Sequence, residues 1–143
     1  MGSSPRGPEV LSDLALAHCA LGALVEAQTA AERGLDLAAQ RGAGRGEVYA
    51  LHALASVHLV RGRDVAVTEA RRLLDRAESR AEEIVHRVIL PHLCELRAHA
   101  AERGRDTAAV EAALCRAQQL FREMGAPLHV ERLAKELGSQ HQN

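Results

Sequence analysis

The stretch Leu51-His-Ala-Leu-Ala-Ser-Val-His-Leu-Val-Arg-Gly62 decides the fold, because nearly the same pattern occurs twice more in the chain. The upstream copy is Leu11-Ser-Asp-Leu-Ala-Leu-Ala-His-Cys-Ala-Leu-Gly22, with leucine, leucine-alanine, histidine and glycine at the same offsets. A looser third copy is Leu93-Cys-Glu-Leu-Arg-Ala-His-Ala-Ala-Glu-Arg-Gly104. The closing glycines recur at intervals of about 40 residues, a spacing typical of stacked supersecondary units. The pattern predicts a helical repeat protein.

The composition favours helix along the whole chain. Alanine and leucine dominate, β-branched residues are sparse, and the aromatic residues are Tyr49 and Phe121. A chain of 143 residues is long enough to bury a core of its own as one domain. We therefore expect an all-α fold with a flexible leader over residues 1–7, a repeat domain over 8–138 and a flexible tail over 139–143.

Breaks in the helical pattern divide the first part of the chain into two helix hairpins. The first hairpin is predicted over residues 8–40, and the glycine-rich stretch 42–46 is predicted as the loop that ends it. The second begins near Glu47 and turns at residues 61–64, where Asp64 is a plausible N-cap.

A third hairpin and one more helix complete the predicted stack. The third hairpin begins within residues 86–91 and turns at residues 103–106, with Asp106 in the place of the earlier aspartate. Gly125 is expected just past its end, as a C-terminal cap. A last helix over about 127–137 should cover the open end of the stack, since terminal repeats need a more polar outer face.

Apolar spacing predicts which side of each helix is inward. In the first helix the i, i+3, i+4, i+7 stripe is Leu11, Leu14, Ala15 and His18. In the last helix the expected inward side is Leu128, Leu133, Ala134 and Leu137, and the expected outward side is His129, Arg132, Lys135 and Glu136. His18 and His58 occupy equivalent places in two copies, which favours core packing over a ligand role.

This arrangement of leucines, a turn glycine and alanines at helical spacing resembles the tetratricopeptide repeat, a helix-turn-helix unit of about 34 residues. The units here are longer than that, and the family's usual Trp and Tyr positions hold Leu11 and Leu51, and His18 and His58. Units of this length with a closing segment like residues 120–133 resemble the C-terminal repeats of large bacterial signalling ATPases. Such repeats are coupled to adenylate-cyclase, kinase or LuxR-type DNA-binding domains. The resemblance implies a right-handed superhelical stack of three antiparallel hairpins with a C-terminal capping helix.

The resemblance also implies a concave surface, made by the first helix of each hairpin, that binds a peptide or helix of a partner protein. Its expected ligand-binding residues are Asp13, Leu16, Cys19, Tyr49, His52, Ser56, Leu59, Cys94 and Glu95. Leu16 and Leu59 can equally pack against their own second helices, because periodicity alone does not orient a nearly all-apolar helix. The alternative function is self-association, in which identical chains cover an exposed apolar end of the stack as a homodimer.

Other chemical motifs are incomplete, so we expect no enzyme activity, cofactor or metal. Glu83-Ile-Val-His86 has the Glu-x-x-His form of di-iron bundles, but a second such pair is missing from the sequence. His92 and Cys94 lack the spacing that closes a zinc tetrahedron. The glycines of residues 42–46 are not followed by the Gly-Lys-Ser/Thr of a phosphate loop. Cys19 and His18 are adjacent on a helix and point about 100 degrees apart, so they do not form a nucleophile pair.

Charge and cysteine content bound the cellular setting and the partners. A formal net charge of −1 and the near absence of aromatic residues argue against nucleic acid as a partner. No long apolar run or signal peptide is seen, so no membrane association is expected. Three scattered cysteines suit free thiols in a reducing compartment, which predicts a cytoplasmic protein.

Overall fold

The computed structural model describes residues 7–142, and this part of the chain forms seven α-helices. Their bounds are α1 Gly7–Ala20, α2 Leu24–Arg41, α3 Gly44–Arg61, α4 Asp64–Glu83, α5 Leu90–Arg103, α6 Thr107–Glu123 and α7 Pro127–Gln142. A 3-10 turn over Arg87–Ile89 precedes α5. Residues 7–142 contain no β-strand, so the all-α prediction is confirmed.

The two ends of the chain compare differently with the predicted domain limits. Of the predicted leader, residues 1–6 lie outside the described part, and Gly7 is the first residue of α1. At the other end, α7 continues to Gln142 and therefore occupies most of the stretch 139–143 that was predicted as a tail. Residue 143 lies outside the described part.

Each of the six connections between these helices contains one residue with positive φ. These left-handed residues are Gly22, Gly42, Gly62, Val85, Arg105 and Gly125. The first three are evenly spaced along the chain and so are the last three, while the interval between Gly62 and Val85 is longer. A left-handed residue ends a helix because it lets the following amides bond the free carbonyls of the last turn. From Gly22 to Gly62, and again from Val85 to Gly125, each helix together with its turn therefore has the same length.

The two Gly-Arg-Asp turns differ in register. In the first, Gly62 is left-handed and Arg63 is the N-cap residue, so Asp64 is already the first residue of α4. The prediction that Asp64 is an N-cap is wrong, because the turn places Arg63 at that position. In the second turn, Arg105 is left-handed, and Asp106 accepts a hydrogen bond from the backbone amide of Ala109 at 3.0 Å. The N-cap role of Asp106 is confirmed.

The chain divides into two compact units, one reaching His86 and the other starting at Arg87. In the first unit, α1 packs against α2 and α3, and α3 packs against α2 and α4. In α4 the apolar residues at a spacing near 3.6 are all buried; they are Val67, Ala70, Leu73, Leu74, Ala77 and Ala81. Most other buried side chains of this unit are alanine, leucine or valine, so its core is aliphatic.

The glycine-rich stretch 42–46 is not the loop that was predicted. Only Gly42 and Ala43 link the helices, and α3 begins at Gly44. Gly46 lies inside α3 where the start of α1 comes close, since a Cβ at this position would lie 2.8 Å from the Cβ of Pro8. The glycine is therefore used for a close helix approach rather than to break the helix.

The orientation of α1 differs from the predicted stripe. Ser12 is buried and its hydroxyl donates to the carbonyl of Pro8 at 3.1 Å, whereas Leu14 is 45% exposed. Ala15 is buried as predicted, and Leu11 and His18 are half-buried. Apolar residues surround this helix, so hydrophobic periodicity did not identify the side that packs.

The second unit is built from α5, α6 and α7. The buried face of α6 is Val110, Leu114, Ala117, Leu120 and Phe121, and Ala113 is half-buried. In α7, Leu133 is buried, but Leu128 is exposed and His129 stacks on Phe121. The predicted orientation of α7 is therefore wrong for Leu128 and Ala134, which are exposed, and for His129, whose ring packs on Phe121.

None of the helices in residues 7–142 has the length and apolar composition that a membrane span requires.

Candidate functional site

The nine residues predicted to bind a peptide lie on three helices. α1 carries Asp13, Leu16 and Cys19; α3 carries Tyr49, His52, Ser56 and Leu59; and α5 carries Cys94 and Glu95. Leu59 and Cys94 are buried, so their side chains offer no surface to a ligand. Asp13 is exposed and the other six are partly exposed. Their assignment to a binding surface stays a prediction.

Asp13 and Tyr49 line the same groove of the first unit. This groove, which we call the α1–α3 groove, is lined by Glu9, Val10 and Asp13 of α1 and by Arg45 and Tyr49 of α3. Its volume is about 520 Å³. Two carboxylates face one guanidinium in the lining, so the groove is a mixed polar surface with more negative than positive charge.

A histidine outside the predicted set fixes the position of Tyr49. The Tyr49 hydroxyl lies 3.1 Å from Nε2 of His86, and the two rings meet edge to face with centroids 5.6 Å apart. Burial lowers the pKa of His86, the Arg45 charge lowers it further, and Glu9 acts in the opposite direction. The Nε2 atom of a neutral imidazole can accept a hydrogen bond from the tyrosine hydroxyl, and this bond holds the tyrosine ring at the groove.

Sequence reasoning missed this role of His86. The residue was considered only as part of a Glu-x-x-His metal motif, and nothing in its local spacing indicates a tyrosine 37 residues earlier. The contact joins α3 to the residues just after α4, so no local sequence signal could have found it.

A partly exposed stripe continues from Tyr49 along α3. His52 and Ser56 follow Tyr49 at intervals of three and four residues, so all three share one side of the helix. The Ser56 hydroxyl donates to the carbonyl of His52 at 2.9 Å. Residues 50, 51 and 53–55 around these side chains are buried, so the stripe is the partly exposed side of the middle of α3.

On α1, Leu16 and Cys19 are partly exposed. Burial raises the pKa of the Cys19 thiol, so the thiolate form that acts as a nucleophile is disfavoured near neutral pH. Cys19 is therefore a candidate contact residue rather than a reactive one.

In the second unit, Glu95 is engaged by α7. Arg132 Nη1 lies 2.6 Å from Glu95 Oε1, and this hydrogen bond raises the pKa of Arg132. Nδ1 of His92 lies 3.7 Å from the other oxygen of Glu95. Glu95 therefore links α5 to α7, a role that its sequence position did not indicate.

A cluster of rings lies beside this ion pair. Phe121 stacks on His129 with centroids 4.3 Å apart, and His92 meets Phe121 edge to face at 5.4 Å. Burial lowers the pKa of His92 more than Glu95 raises it. Phe121 is 1% exposed and belongs to the core of the second unit, whereas the His92 side chain that meets its edge is 41% exposed.

Across residues 7–142, no three histidine, cysteine, aspartate or glutamate side chains are grouped so that they could hold a metal ion. No protein-family model matches this sequence, and no curated protein is significantly similar to it. Support for a function therefore comes from this chain's own residues.

Proposed function

We propose that this protein is an interaction module, a tetratricopeptide-like stack of helix hairpins that binds a peptide or helix of a partner protein in the α1–α3 groove. The even spacing of the left-handed residues supports the architecture, because two helices with their turns then match the length of one sequence copy. The proposal includes a superhelical arrangement of three hairpins with α7 as the closing helix. It also includes the regulatory role that such repeats have in bacterial signalling proteins.

The observation that carries the proposal is the partly exposed Tyr49 ring, held by His86 at the rim of the groove. Tyrosine is enriched at protein interfaces because a large, stiff ring with one polar atom gives contact area at a low cost in conformational entropy. A ring already fixed by a hydrogen bond loses even less freedom when a partner binds.

The charged residues that line the α1–α3 groove indicate which kind of partner segment it can bind. Glu9 and Asp13 are four residues apart on α1, so their carboxylates lie along one side of the helix and both line the groove. Arg45 is the positive residue opposite them. A bound segment that carries a basic side chain between its apolar ones complements this lining.

The test is a selection of displayed peptides, each about three helical turns long, against the wild-type protein, followed by fluorescence anisotropy with the enriched peptides. Tyr49→Ala and Asp13→Ala should each weaken binding, with a loss on the order of 10-fold for the tyrosine. Thr29→Ala is the matched control, because Thr29 is exposed on α2 and outside the groove. Equal affinity for all four proteins, or no enriched peptide, contradicts the proposal.

A second candidate function is self-association, favoured by the outward side of α1. Val10 is 56% exposed and Leu14 is 45% exposed, and Ala17 and Leu21 continue the same stripe at helical spacing. Two chains could cover these stripes with each other. Light scattering separates the candidates: a monomer at high micromolar concentration contradicts self-association, and a dimer that Leu14→Asp dissociates supports it.

A further inference from the structure

The first unit has a second and larger concave surface, away from the residues that line the α1–α3 groove. It is formed where α2 and α4 begin and α3 ends, and its volume is about 760 Å³. The residues that matter in its lining are Leu24, Val25, Val60, Val65, Arg61 and Arg63. We call it the α2–α4 cleft.

The valines of the α2–α4 cleft are unusually open to solvent. Val65 is 82% exposed, Val25 is 71% exposed and Val60 is 49% exposed. Single exposed apolar residues are common on protein surfaces, but several around one concavity mark an interaction site. Covering each valine would gain on the order of 25 cal/mol for every Å² of apolar surface removed from water.

The charge in this lining has the opposite sign to that of the α1–α3 groove. Arg61 and Arg63 contribute positive charge, and the one carboxylate among the described lining residues, Glu69, lies 3.8 Å from Arg72 outside the lining. Burial is the main cause that lowers the pKa of His58, which favours its neutral imidazole. The lining therefore carries a net positive charge.

The helix ends at the cleft add further positive charge. α2 and α4 both begin here, and neither N-cap residue, Ala23 or Arg63, makes a side-chain cap hydrogen bond. The N-terminal end of a helix carries partial positive charge on its free amides. Glu26 in the first turn of α2 and Asp64 in that of α4 offset part of this charge, but neither lines the cleft.

We infer that the α2–α4 cleft is a second docking surface, and that it takes an acidic amphipathic segment of a partner protein. Apolar side chains of the segment cover the three valines, and its carboxylates pair with Arg61 and Arg63. A protein segment fits better than a bilayer, because a flat membrane surface cannot fill a concave cleft. This surface does not depend on the α1–α3 groove, since the two linings share no residue.

The probe is a dye-labelled synthetic peptide of about four helical turns, with leucine at positions i, i+3, i+4 and i+7 of each repeat and glutamate elsewhere. A matched peptide carries lysine in place of every glutamate. Fluorescence anisotropy should show binding of the glutamate peptide and binding of the lysine peptide on the order of 10-fold weaker, with the difference shrinking at high salt. The Arg61→Glu/Arg63→Glu double variant should bind the glutamate peptide on the order of 10-fold more weakly than the wild type does.

The chain supplies its own matched control. The sequence Arg-Gly-Arg-Asp occurs at residues 61–64 and again at 103–106, so Arg103→Glu/Arg105→Glu makes the same change in net charge in the other unit. This control and Tyr49→Ala should leave the affinity for the glutamate peptide unchanged. Val65→Asp, at an exposed position, should weaken binding of the glutamate peptide, as Arg61→Glu/Arg63→Glu does.

Several outcomes would overturn the inference. They are equal binding of the two peptides, no binding of the glutamate peptide, and equal loss in the 61/63 and 103/105 variants. Stronger binding to vesicles of anionic lipid than to the peptide, lost in Arg61→Glu/Arg63→Glu, would assign the cleft to a membrane instead. A dimer in light scattering that Val65→Asp dissociates would assign it to a second copy of the chain. Loss of peptide binding in Tyr49→Ala alone would move the site to the α1–α3 groove.

Discussion

The two compact units each have one phenyl or phenol ring and use it in opposite ways. Tyr49 in the first unit is partly exposed and hydrogen-bonded to His86, whereas Phe121 in the second is buried against His92 and His129. The first unit has four helices with an aliphatic core, which leaves its ring available at the surface. The second has three helices and places its ring at the centre of the packing. This difference is why our proposal places peptide binding in the first unit, whereas Phe121 packs inside the second.

The largest expected effect follows from removing each ring. Phe121→Ala should destabilise the second unit by about 3–5 kcal/mol, because it opens a cavity in a buried core. Tyr49→Ala should cost less, since its ring is partly exposed. Hydrogen exchange read separately over α5–α7 and over α1–α4 measures both changes. Equal losses of protection would break the contrast between the rings.

A second change tests the packing that shapes the α1–α3 groove. Gly46→Val should destabilise the first unit by about 1–3 kcal/mol, because its side chain would overlap Pro8. Gly138→Val is the control, since a Cβ there meets no atom within 4 Å. Urea denaturation followed by circular dichroism gives the free energies of unfolding. If both variants are as stable as the wild type, α1 and α3 are not held together at this point.

The two Gly-Arg-Asp turns allow a third test, in which the expected loss of stability is smaller. Asp106→Ala should cost about 1 kcal/mol, because it removes the side chain that accepts a hydrogen bond from the Ala109 amide. Asp64→Ala should cost less, since Asp64 lies inside α4 and not at its N-cap. Thermal unfolding of the two variants measures the difference, and a larger loss for Asp64 would show that the turns have the same register.

Much of the fold could be predicted from glycine positions and apolar spacing. Gly22, Gly42, Gly62 and Gly125 each mark a connection because glycine adopts the left-handed conformation easily. Val85 and Arg105 adopt it as well, and no property of their side chains signals this. The third sequence copy therefore aligns on its glycine, one residue before the left-handed position.

The candidate site was predicted only in part. Tyr49, His52 and Ser56 are partly exposed, because polar residues on an otherwise buried helix lie on the side that faces water. Leu59 and Cys94 are buried, since apolar residues fit either side of a helix with several neighbours. The α2–α4 cleft could not be foreseen, because it joins the α3–α4 turn to the start of α2, which lies far from that turn in the sequence.

The smallest effect is expected from protonating the histidine in the ring cluster. Burial lowers the pKa of His92 below its ordinary value, so the folded state favours the neutral ring. Its contribution to stability is fully present above the unfolded pKa of about 6.5 and is lost as the pH falls through the folded value. The melting temperature should therefore be lower at pH 5 than at pH 7.5.

The matched variants for this pH dependence lie on the same helix. In His92→Gln the decrease in melting temperature between pH 7.5 and pH 5 should be smaller than in the wild type. His99→Gln, which changes an exposed histidine of α5, should leave the decrease unchanged. The same decrease in all three proteins would show that the ring cluster does not respond to pH.

The most direct test of the interaction module is amide chemical-shift mapping of the full chain with a peptide enriched by selection against it. We expect the shifted amides to cluster in residues 9–20 of α1 and 45–56 of α3, and to lose that pattern in Tyr49→Ala. Shifts confined to α5–α7, or a pattern unchanged in Tyr49→Ala, would contradict binding in the α1–α3 groove.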